Sequence, residues 1–207
     1  MSAKEGCRLR PKEGLLTFMA EGNNIKSSRH YSRKIHWPGN SLKCDNHSSG
    51  VTIGRGYDMR HRTHKQIIKD LMLAGVEKEN AKSIAEGSGK FACLARDFVI
   101  ENKNKLAEIT EQQQLKLFNL TYKKYLSDSI IFYNKYKRID SVSWQDLLPV
   151  LKDVFVDMKY QGVLSYKMVP IFGLNRRDKL IILIQQTPSL INYESRGRIA
   201  YIEGSIK

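Results

Sequence analysis

The first apolar run of the chain covers residues 14–20 and is followed at once by Glu21 and Gly22. A carboxylate and a glycine after an apolar stretch are typical of a helix end, so the pattern predicts a short helix that ends at Glu21. Residues 23–46 are rich in Asn, Ser, Gly, Arg and His and have no sustained period, which predicts a long loop. Loops of this length are more often functional than idle.

The pattern changes between Ser48 and Met59, where Val51, Thr52 and Ile53 are bounded by glycines. This composition predicts a small hairpin, and it is the only clear β pattern in the sequence. A tight turn would by itself explain the glycines. The string TIGRG also lacks the Lys-Ser/Thr pair and the following helix of a phosphate-binding loop.

From residue 63 onwards the apolar positions recur with a helical period. Thr63 is placed to cap the first helix, Thr110 and Gln113 form a capping box for a long one, and Pro149 suits a first helical turn. The predicted helices cover residues 64–75, 78–86, 93–102, a long stretch after 110, 149–160, 175–185 and 188–202. In the first and third of these helices, the residues predicted to face the core are Ile67, Ile68, Leu71, Leu73, Leu94, Phe98 and Val99.

These elements predict an α+β fold, with a small β-hairpin lobe near the N-terminus and a mainly α-helical lobe. The sequence shows no internal repeat, low-complexity tract or Gly/Ser/Pro-rich linker. We therefore expect a single domain over residues 1–207, with residues 1–13 as a candidate flexible leader.

The charge of the chain indicates that its partners are polyanions, but it does not indicate which ones. The chain has 35 Lys and Arg against 21 Asp and Glu, a formal net charge of +14. Such an excess concentrates a protein near nucleic acid, anionic membranes or bacterial cell walls without choosing among them. Since no apolar run approaches the roughly 20 residues of a membrane-spanning helix, membrane insertion is not expected.

The cysteines and histidines predict neither a disulfide framework nor a metal site. Three cysteines at irregular spacing do not suggest a set of disulfides. The histidines His47, His61 and His64 match no common zinc spacing with Cys44, so we expect no metal and no cofactor. The N-terminal residues lack the apolar segment and cleavage site of a Sec signal, and synthesis in the cytoplasm is expected.

The pieces FMAEG, HWPGN and SSGVTIGRGYDM, in this order, carry a resemblance to a known family. They resemble the catalytic region of the pesticin-type, phage-lysozyme-like muramidases, which occur in bacteriocins and in antibacterial effectors delivered by type VI secretion. The likeness continues more faintly through AEGSGKFACLARDFV, EITEQQQLKLFN, LPVLKDVFVDMKYQG and YESRGRIAYI. It implies a lysozyme-like fold and cleavage of the β-1,4 bond between N-acetylmuramic acid and N-acetylglucosamine in peptidoglycan.

Carried over by position, the family's catalytic acid is Glu21, its motif threonine is Thr52 and its motif aspartate is Asp58. Glycoside hydrolysis needs a proton donor for the leaving oxygen and a carboxylate or activated water on the other face of the sugar. Glu21 is expected to donate the proton, while Asp58 and the Thr52 hydroxyl orient the water. Asp45 is a rival second carboxylate, and inversion or retention is left open. The expected substrate-binding residues are His36, Trp37, Arg55 and Tyr57.

The resemblance also implies where the protein acts and what role it has there. We expect a monomeric antibacterial toxin that acts on glycan strands in the periplasm of a target cell and is matched by an immunity protein. A phage or prophage endolysin, released by a holin, would have the same chemistry. The alternative from another class of protein is a non-enzymatic basic module that binds cell wall or nucleic acid. If the protein is a muramidase, nucleic acid is not expected as a partner.

Overall fold

The computed structural model describes residues 9–39, 41–46 and 48–204 of the chain. This part of the chain is mostly helical and contains a two-stranded antiparallel sheet formed by β1 (Thr52–Ile53) and β2 (Tyr57–Asp58). The α-helices are α1 (Leu15–Ala20), α2 (His64–Leu73), α3 (Lys78–Ala85), α4 (Ala92–Asn102), α5 (Glu111–Tyr136), α6 (Pro149–Gln161), α7 (Val169–Gly173), α8 (Arg177–Gln186), α9 (Pro188–Ile191) and α10 (Arg198–Glu203). The α+β prediction is confirmed. No helix in these ranges is both long and apolar enough to cross a membrane.

The chain divides into two compact units. Within the described residues, the first unit comprises 9–11 and 21–121, and the second comprises 12–20 and 122–204. Helix α1 thus belongs to the second unit although it precedes the hairpin in the chain. The expectation of a single domain stays a prediction, and residues 1–8 of the candidate leader lie outside the described residues.

The hairpin of the first unit separates an apolar face from a polar one. Thr52 pairs with Asp58 and Ile53 with Tyr57, and successive residues of a strand point to opposite faces. One face contributes buried side chains to a core that also contains residues of α2, α3 and α4. These core residues of the sheet region are Ile35, Val51, Ile53, Tyr57 and Met59. Thr52 and Asp58 therefore lie on the opposite face.

The helix boundaries follow local rules that the sequence displays. The hydroxyl Oγ1 of Thr63 accepts a hydrogen bond from the Gln66 amide at 3.2 Å, which caps α2 as predicted. The predicted capping box before α5 is also present, because Thr110 and Gln113 exchange hydrogen bonds of 2.8 and 3.1 Å. Helix α6 ends at Gly162, whose φ of 81° is left-handed.

Two predicted core positions are wrong. Leu73 is 59% exposed and Leu94 is 66% exposed, whereas Ala95 and Val99 are the buried residues of α4. Adjacent residues of a helix point about 100° apart. An apolar stripe read one residue too early therefore selects the wrong face.

The spacing of the cysteines did not suggest a set of disulfides, but the structure contains one bond, between Cys44 and Cys93, with Cα atoms 4.9 Å apart. Cys44 lies in a 3-10 helix, Ser41–Asn46, which packs against α4, and Cys93 is in the first turn of α4. The bond joins residues 49 positions apart, and only tertiary packing brings them together. The ring that it closes contains the whole hairpin. Cys7 lies outside the described residues.

Helix α6 is the centre of the second unit. The ring of Phe155 meets Tyr133, Trp144 and Phe172 edge-on, with centroids 5.7, 5.4 and 4.8 Å away. Such arrangements are favourable because the positive edge of one ring meets the negative face of another.

A buried charged cluster joins α6 to the C-terminal residues. Asp157, fully buried on α6, accepts from Arg196 at 2.6 and 3.1 Å and from Arg198 Nε at 2.8 Å. Arg198 is also fully buried, and it donates to Gln161 Oε1 at 2.5 Å. Removing one partner would leave an uncompensated charge, so this cluster fixes how the last helix docks.

The predicted helix over residues 188–202 is divided into α9, a 3-10 helix at Glu194–Arg196 and α10. The predicted start is correct, because α9 begins at Pro188. Gly197, with φ at 78°, separates the last two segments. The break places Arg196 and Arg198 on the same carboxylate, a tertiary requirement that overrides the continuous helical pattern.

Reduction of the Cys44–Cys93 disulfide should destabilise the protein. The entropy of a closed loop of about 50 residues corresponds to about 4 kcal/mol at 25 °C, which predicts a fall in Tm of roughly 10 °C. Calorimetry with and without a phosphine reductant measures it, and Cys93→Ser should reproduce the fall. Cys7→Ser is the matched control, and an unchanged Tm after complete reduction would refute the prediction.

Candidate active site

Glu21 immediately follows α1 and is the residue at which the chain enters the first unit. Its side chain is partly buried. The next residue, Gly22, has a φ of 141°, and a Cβ there would lie 2.8 Å from the Cβ of Ser32. The Ser32 amide in turn donates to the Asn23 carbonyl at 3.1 Å. The backbone beyond Glu21 is therefore packed tightly against residue 32, and only glycine fits at position 22.

Arg55 joins this segment to the hairpin. It lies in the turn between β1 and β2, flanked by Gly54 and Gly56 with φ values of 63° and 76°, and it is 6% exposed. Its guanidinium donates a hydrogen bond to the Gly22 carbonyl. Burial lowers the pKa of Arg55 to about 10, with Glu111 and then Glu21 opposing the shift. The guanidinium is still a cation at neutral pH, and it lies close enough to Glu21 for the two groups to interact electrostatically.

Gln114 is the second anchor of this region. It is fully buried on α5, accepts a hydrogen bond from the Ser32 hydroxyl at 2.8 Å and donates to Asn24 Oδ1 at 2.8 Å. The Ser32 carbonyl accepts from the Gly54 amide at 2.7 Å. The helix, the loop and the hairpin turn are thus connected by one buried hydrogen-bond network.

Three of the predicted residues form a row on the polar face of the hairpin, which we call the polar row: His36, Thr52 and Asp58. His36 and Thr52 exchange backbone hydrogen bonds of 2.8 and 2.9 Å, an antiparallel bridge. Thr52 and Asp58 pair across the hairpin. Since the Met59 amide donates to the Val51 carbonyl, Thr52 and Asp58 are a non-hydrogen-bonded pair, with Cα atoms about 4.5 Å apart. Directly paired residues share a face, so the three side chains are neighbours.

The Asp58 carboxylate is held by the backbone around it. Its Oδ2 accepts from the Gly50 amide at 3.0 Å, and its Oδ1 accepts from the Arg60 amide at 2.7 Å. The Thr52 hydroxyl donates to the Gly50 carbonyl at 3.1 Å. Gly50 is therefore fixed by both side chains. These contacts are those of an aspartate that holds its own turn, and a direct role of Asp58 in the chemistry stays a prediction.

The imidazole of His36 lies at the other end of the polar row. Its Nδ1 is 3.1 Å from the Lys34 carbonyl. Burial lowers the pKa of His36; the hydrogen bond to Lys34 and the charge of Asp58 oppose the shift, and Lys103 and His30 favour it. The imidazole is therefore neutral at pH 7.

The remaining predicted residues lie elsewhere. Tyr57 is on the core face, 2% exposed, and its hydroxyl donates to Asp70 at 2.8 Å; nothing around it supports a substrate contact. Trp37 is partly buried, and its indole donates to the Ser49 carbonyl at 3.0 Å. Asp45 is exposed beside the disulfide, with Oδ1 2.9 Å from Cys93 Sγ. The structure thus does not bring Asp45 into the polar row.

Among the described residues, Cys44, Asp45 and Cys93 are a group with metal-ligand atoms close together. The two sulfurs are bonded to each other and are not thiolates. His47 lies outside the described residues, so the absence of a metal site stays a prediction.

The sequence did not point to Gln114 or Ser32. Both are uncharged residues of common type, and their importance comes from burial and from partners 82 and 90 residues away. The available signal was the buried face of the capped helix, on which a glutamine is unusual.

The second unit has a separate cavity of about 370 Å³ whose lining includes Glu13, Tyr122, Asp153 and Tyr201. Asp153 accepts from the Tyr201 hydroxyl at 2.5 Å and from the Tyr122 hydroxyl at 3.5 Å. Burial raises the pKa of Asp153, and the nearby Glu13 raises it further. These hydrogen bonds connect α10, α6 and α5, so we interpret the cluster as structural.

The fold and these residues define an α+β protein with a carboxylate and a polar row in the same unit. Residues 14–168 match the model of the family described as Domain of unknown function (DUF8812), and the chain belongs to that family. The matched region includes Glu21, Arg55 and the whole polar row. No curated protein matches the chain.

Gly22→Ala should destabilise the protein more than an equivalent change in open space. The added methyl group meets Ser32 in a backbone conformation that side chains rarely adopt, which predicts a loss of roughly 3 kcal/mol. Gly89→Ala is the matched control, because φ there is 69° with nothing within 4 Å, and it should lose only about 1 kcal/mol. Urea unfolding measures both, and equal losses would contradict the tight packing of residue 22.

Proposed function

We propose that this protein is a peptidoglycan hydrolase of the lysozyme type, a muramidase in which Glu21 is the general acid. The observation that carries the proposal is the hydrogen bond from Arg55 to the Gly22 carbonyl. It couples the residue beside Glu21 to the hairpin that bears Thr52. Glycoside hydrolysis needs these two groups, a proton donor and a water-positioning group, on one rigid framework.

The local electrostatics support the role of Glu21. When Glu21 gives its proton to the leaving oxygen, it becomes a carboxylate near the buried guanidinium of Arg55. A fixed cation that stabilises charge as it develops lowers the barrier, because it needs no reorganisation during the reaction. In this proposal Asp58 holds Gly50 and thereby keeps the Thr52 hydroxyl in place.

The architecture also supports a lysozyme-like fold. A hairpin unit and a helical unit correspond to the two lobes that the resemblance to phage lysozymes implies. Glu21 belongs to the unit that contains the hairpin, as Thr52 and Asp58 do.

The charge supports an anionic polymer as substrate. Lys26, Arg29 and His30 are exposed in the loop that follows Glu21. Muramyl lactyl groups and stem peptides carry carboxylates, which cationic side chains attract. We propose that the protein acts as an antibacterial toxin on glycan strands in the periplasm of a target cell, with an immunity protein in the producer.

Glu21→Gln should abolish hydrolysis of purified Gram-negative sacculi while preserving the fold. The amide keeps the size of the side chain but cannot donate the catalytic proton, so the rate should fall roughly 10²- to 10⁴-fold. Turbidity loss gives the rate. Mass spectrometry of the fragments should find N-acetylmuramic acid at the reducing ends.

Glu101→Gln is the matched control, since Glu101 is exposed on α4 and the charge change is identical. It should clear sacculi at the wild-type rate. Equal clearing by Glu21→Gln and wild type would refute Glu21 as the acid. Sedimentation of the wild type with sacculi, without any fragments, would instead favour a non-enzymatic wall-binding module.

A further inference from the structure

The water side of the proposed reaction needs a base, and Asp58 is poorly placed to be one. Both of its carboxylate oxygens accept hydrogen bonds from backbone amides, those of Gly50 and Arg60. Each of these hydrogen bonds occupies a lone pair that would otherwise be open to a water molecule. A second group on the same face is therefore a candidate to take the proton from the water.

His36 is the neighbour that can do so. The Lys34 carbonyl, 3.1 Å from Nδ1, can only accept a hydrogen bond, so Nδ1 carries the proton of the neutral ring. This tautomer leaves the lone pair on Nε2, for which the described residues supply no partner. His36 and Thr52 are directly paired, so their side chains project from the same polar face.

The hydroxyl of Thr52 is placed to accept a further hydrogen bond rather than to donate one. Its hydrogen is donated to the Gly50 carbonyl, so its oxygen offers only lone pairs to a third group. A water molecule beside the polar row can donate one hydrogen to Thr52 and the other to Nε2 of His36. Its own lone pair is then directed away from both residues, towards a substrate.

We propose that His36 is the general base of the reaction, an inference that rests on the proposed function. The water oxygen forms a bond to the anomeric carbon as its proton passes to Nε2. The glycosidic C–O bond breaks, and its oxygen takes the proton of Glu21. The imidazolium then releases its proton to solvent and Glu21 is reprotonated. Direct attack by water inverts the configuration at the anomeric carbon.

The charged groups around His36 set its pH behaviour. Asp58 on β2 favours the imidazolium, whereas Lys103 after α4 and His30 in the loop disfavour it, and burial disfavours it most. The net effect is a pKa below the ordinary value of 6.5. A base must be unprotonated to work, so activity should be full above this pKa and should fall as pH drops below it.

The test is the pH profile of kcat/KM on soluble glycan fragments for the wild type, His36→Gln and His61→Gln. The amide of His36→Gln can form hydrogen bonds but does not take up a proton, so the rate at pH 7 should fall roughly 10²- to 10⁴-fold. The fall in kcat/KM at low pH that protonation of His36 causes in the wild type should be absent in His36→Gln. His61→Gln is the matched control, because His61 is exposed, and its profile should equal that of the wild type.

Two further measurements need no variant. Long-range proton–nitrogen NMR of the wild type should find the hydrogen of His36 on Nδ1 at pH 7, and the first product should be the inverted anomer. A hydrogen on Nε2, retention of configuration, or an active His36→Gln with an unchanged acid limb would each overturn the base while leaving the muramidase proposal intact. A wild type without hydrolysis would overturn both.

Discussion

Arg55 is a buried cation in a three-residue turn, and the proposed site depends on where its guanidinium lies. Burial of a charge is unfavourable unless the charge is paired. Here the Gly22 carbonyl accepts its hydrogen bond, and the carboxylate of Glu111 offsets part of its charge. The segment after α1 must therefore stay against the hairpin turn, since moving it away would leave the guanidinium without its carbonyl partner.

The polar row follows from the packing of the opposite face. Ile35, Val51 and Ile53 are almost completely buried, and their neighbours along the chain include His36 and Thr52. A shift of the strands by one residue would bring these polar side chains into the core and expose the isoleucines. The hydrophobic core thus fixes the register that makes the polar side chains neighbours, without contacting any of them on their own face.

The sequence predicted what is decided locally. The short helix before Glu21, the hairpin over Thr52 and Asp58, and the caps at Thr63 and Thr110 all depend on residues within a few positions of one another. The disulfide of Cys44 and the break before α10 depend on contacts across tens of residues. These contacts leave no periodic trace in the sequence.

The candidate site shows the same division. The family resemblance supplied Glu21, Thr52 and Asp58 as a set, and the structure places two of them in a directly bonded pair of strands. The resemblance could not supply the bridge between His36 and Thr52, because fifteen residues separate them in the chain. The resemblance also could not distinguish a carboxylate that contacts water from one whose oxygens accept hydrogen bonds from backbone amides.

The Cys44–Cys93 bond gives the hairpin unit a property beyond thermal stability. Thr52, Asp58, α2 and α3 lie inside a covalent ring, whereas Glu21 and His36 precede it in the chain. A protease that cuts any one peptide bond within that ring leaves a single molecule, with both ends of the cut still attached to the rest of the chain. The two pieces would migrate separately on a denaturing gel only after reduction. In an oxidising and protease-rich environment, a single cut between Cys44 and Cys93 would not release Thr52 or Asp58.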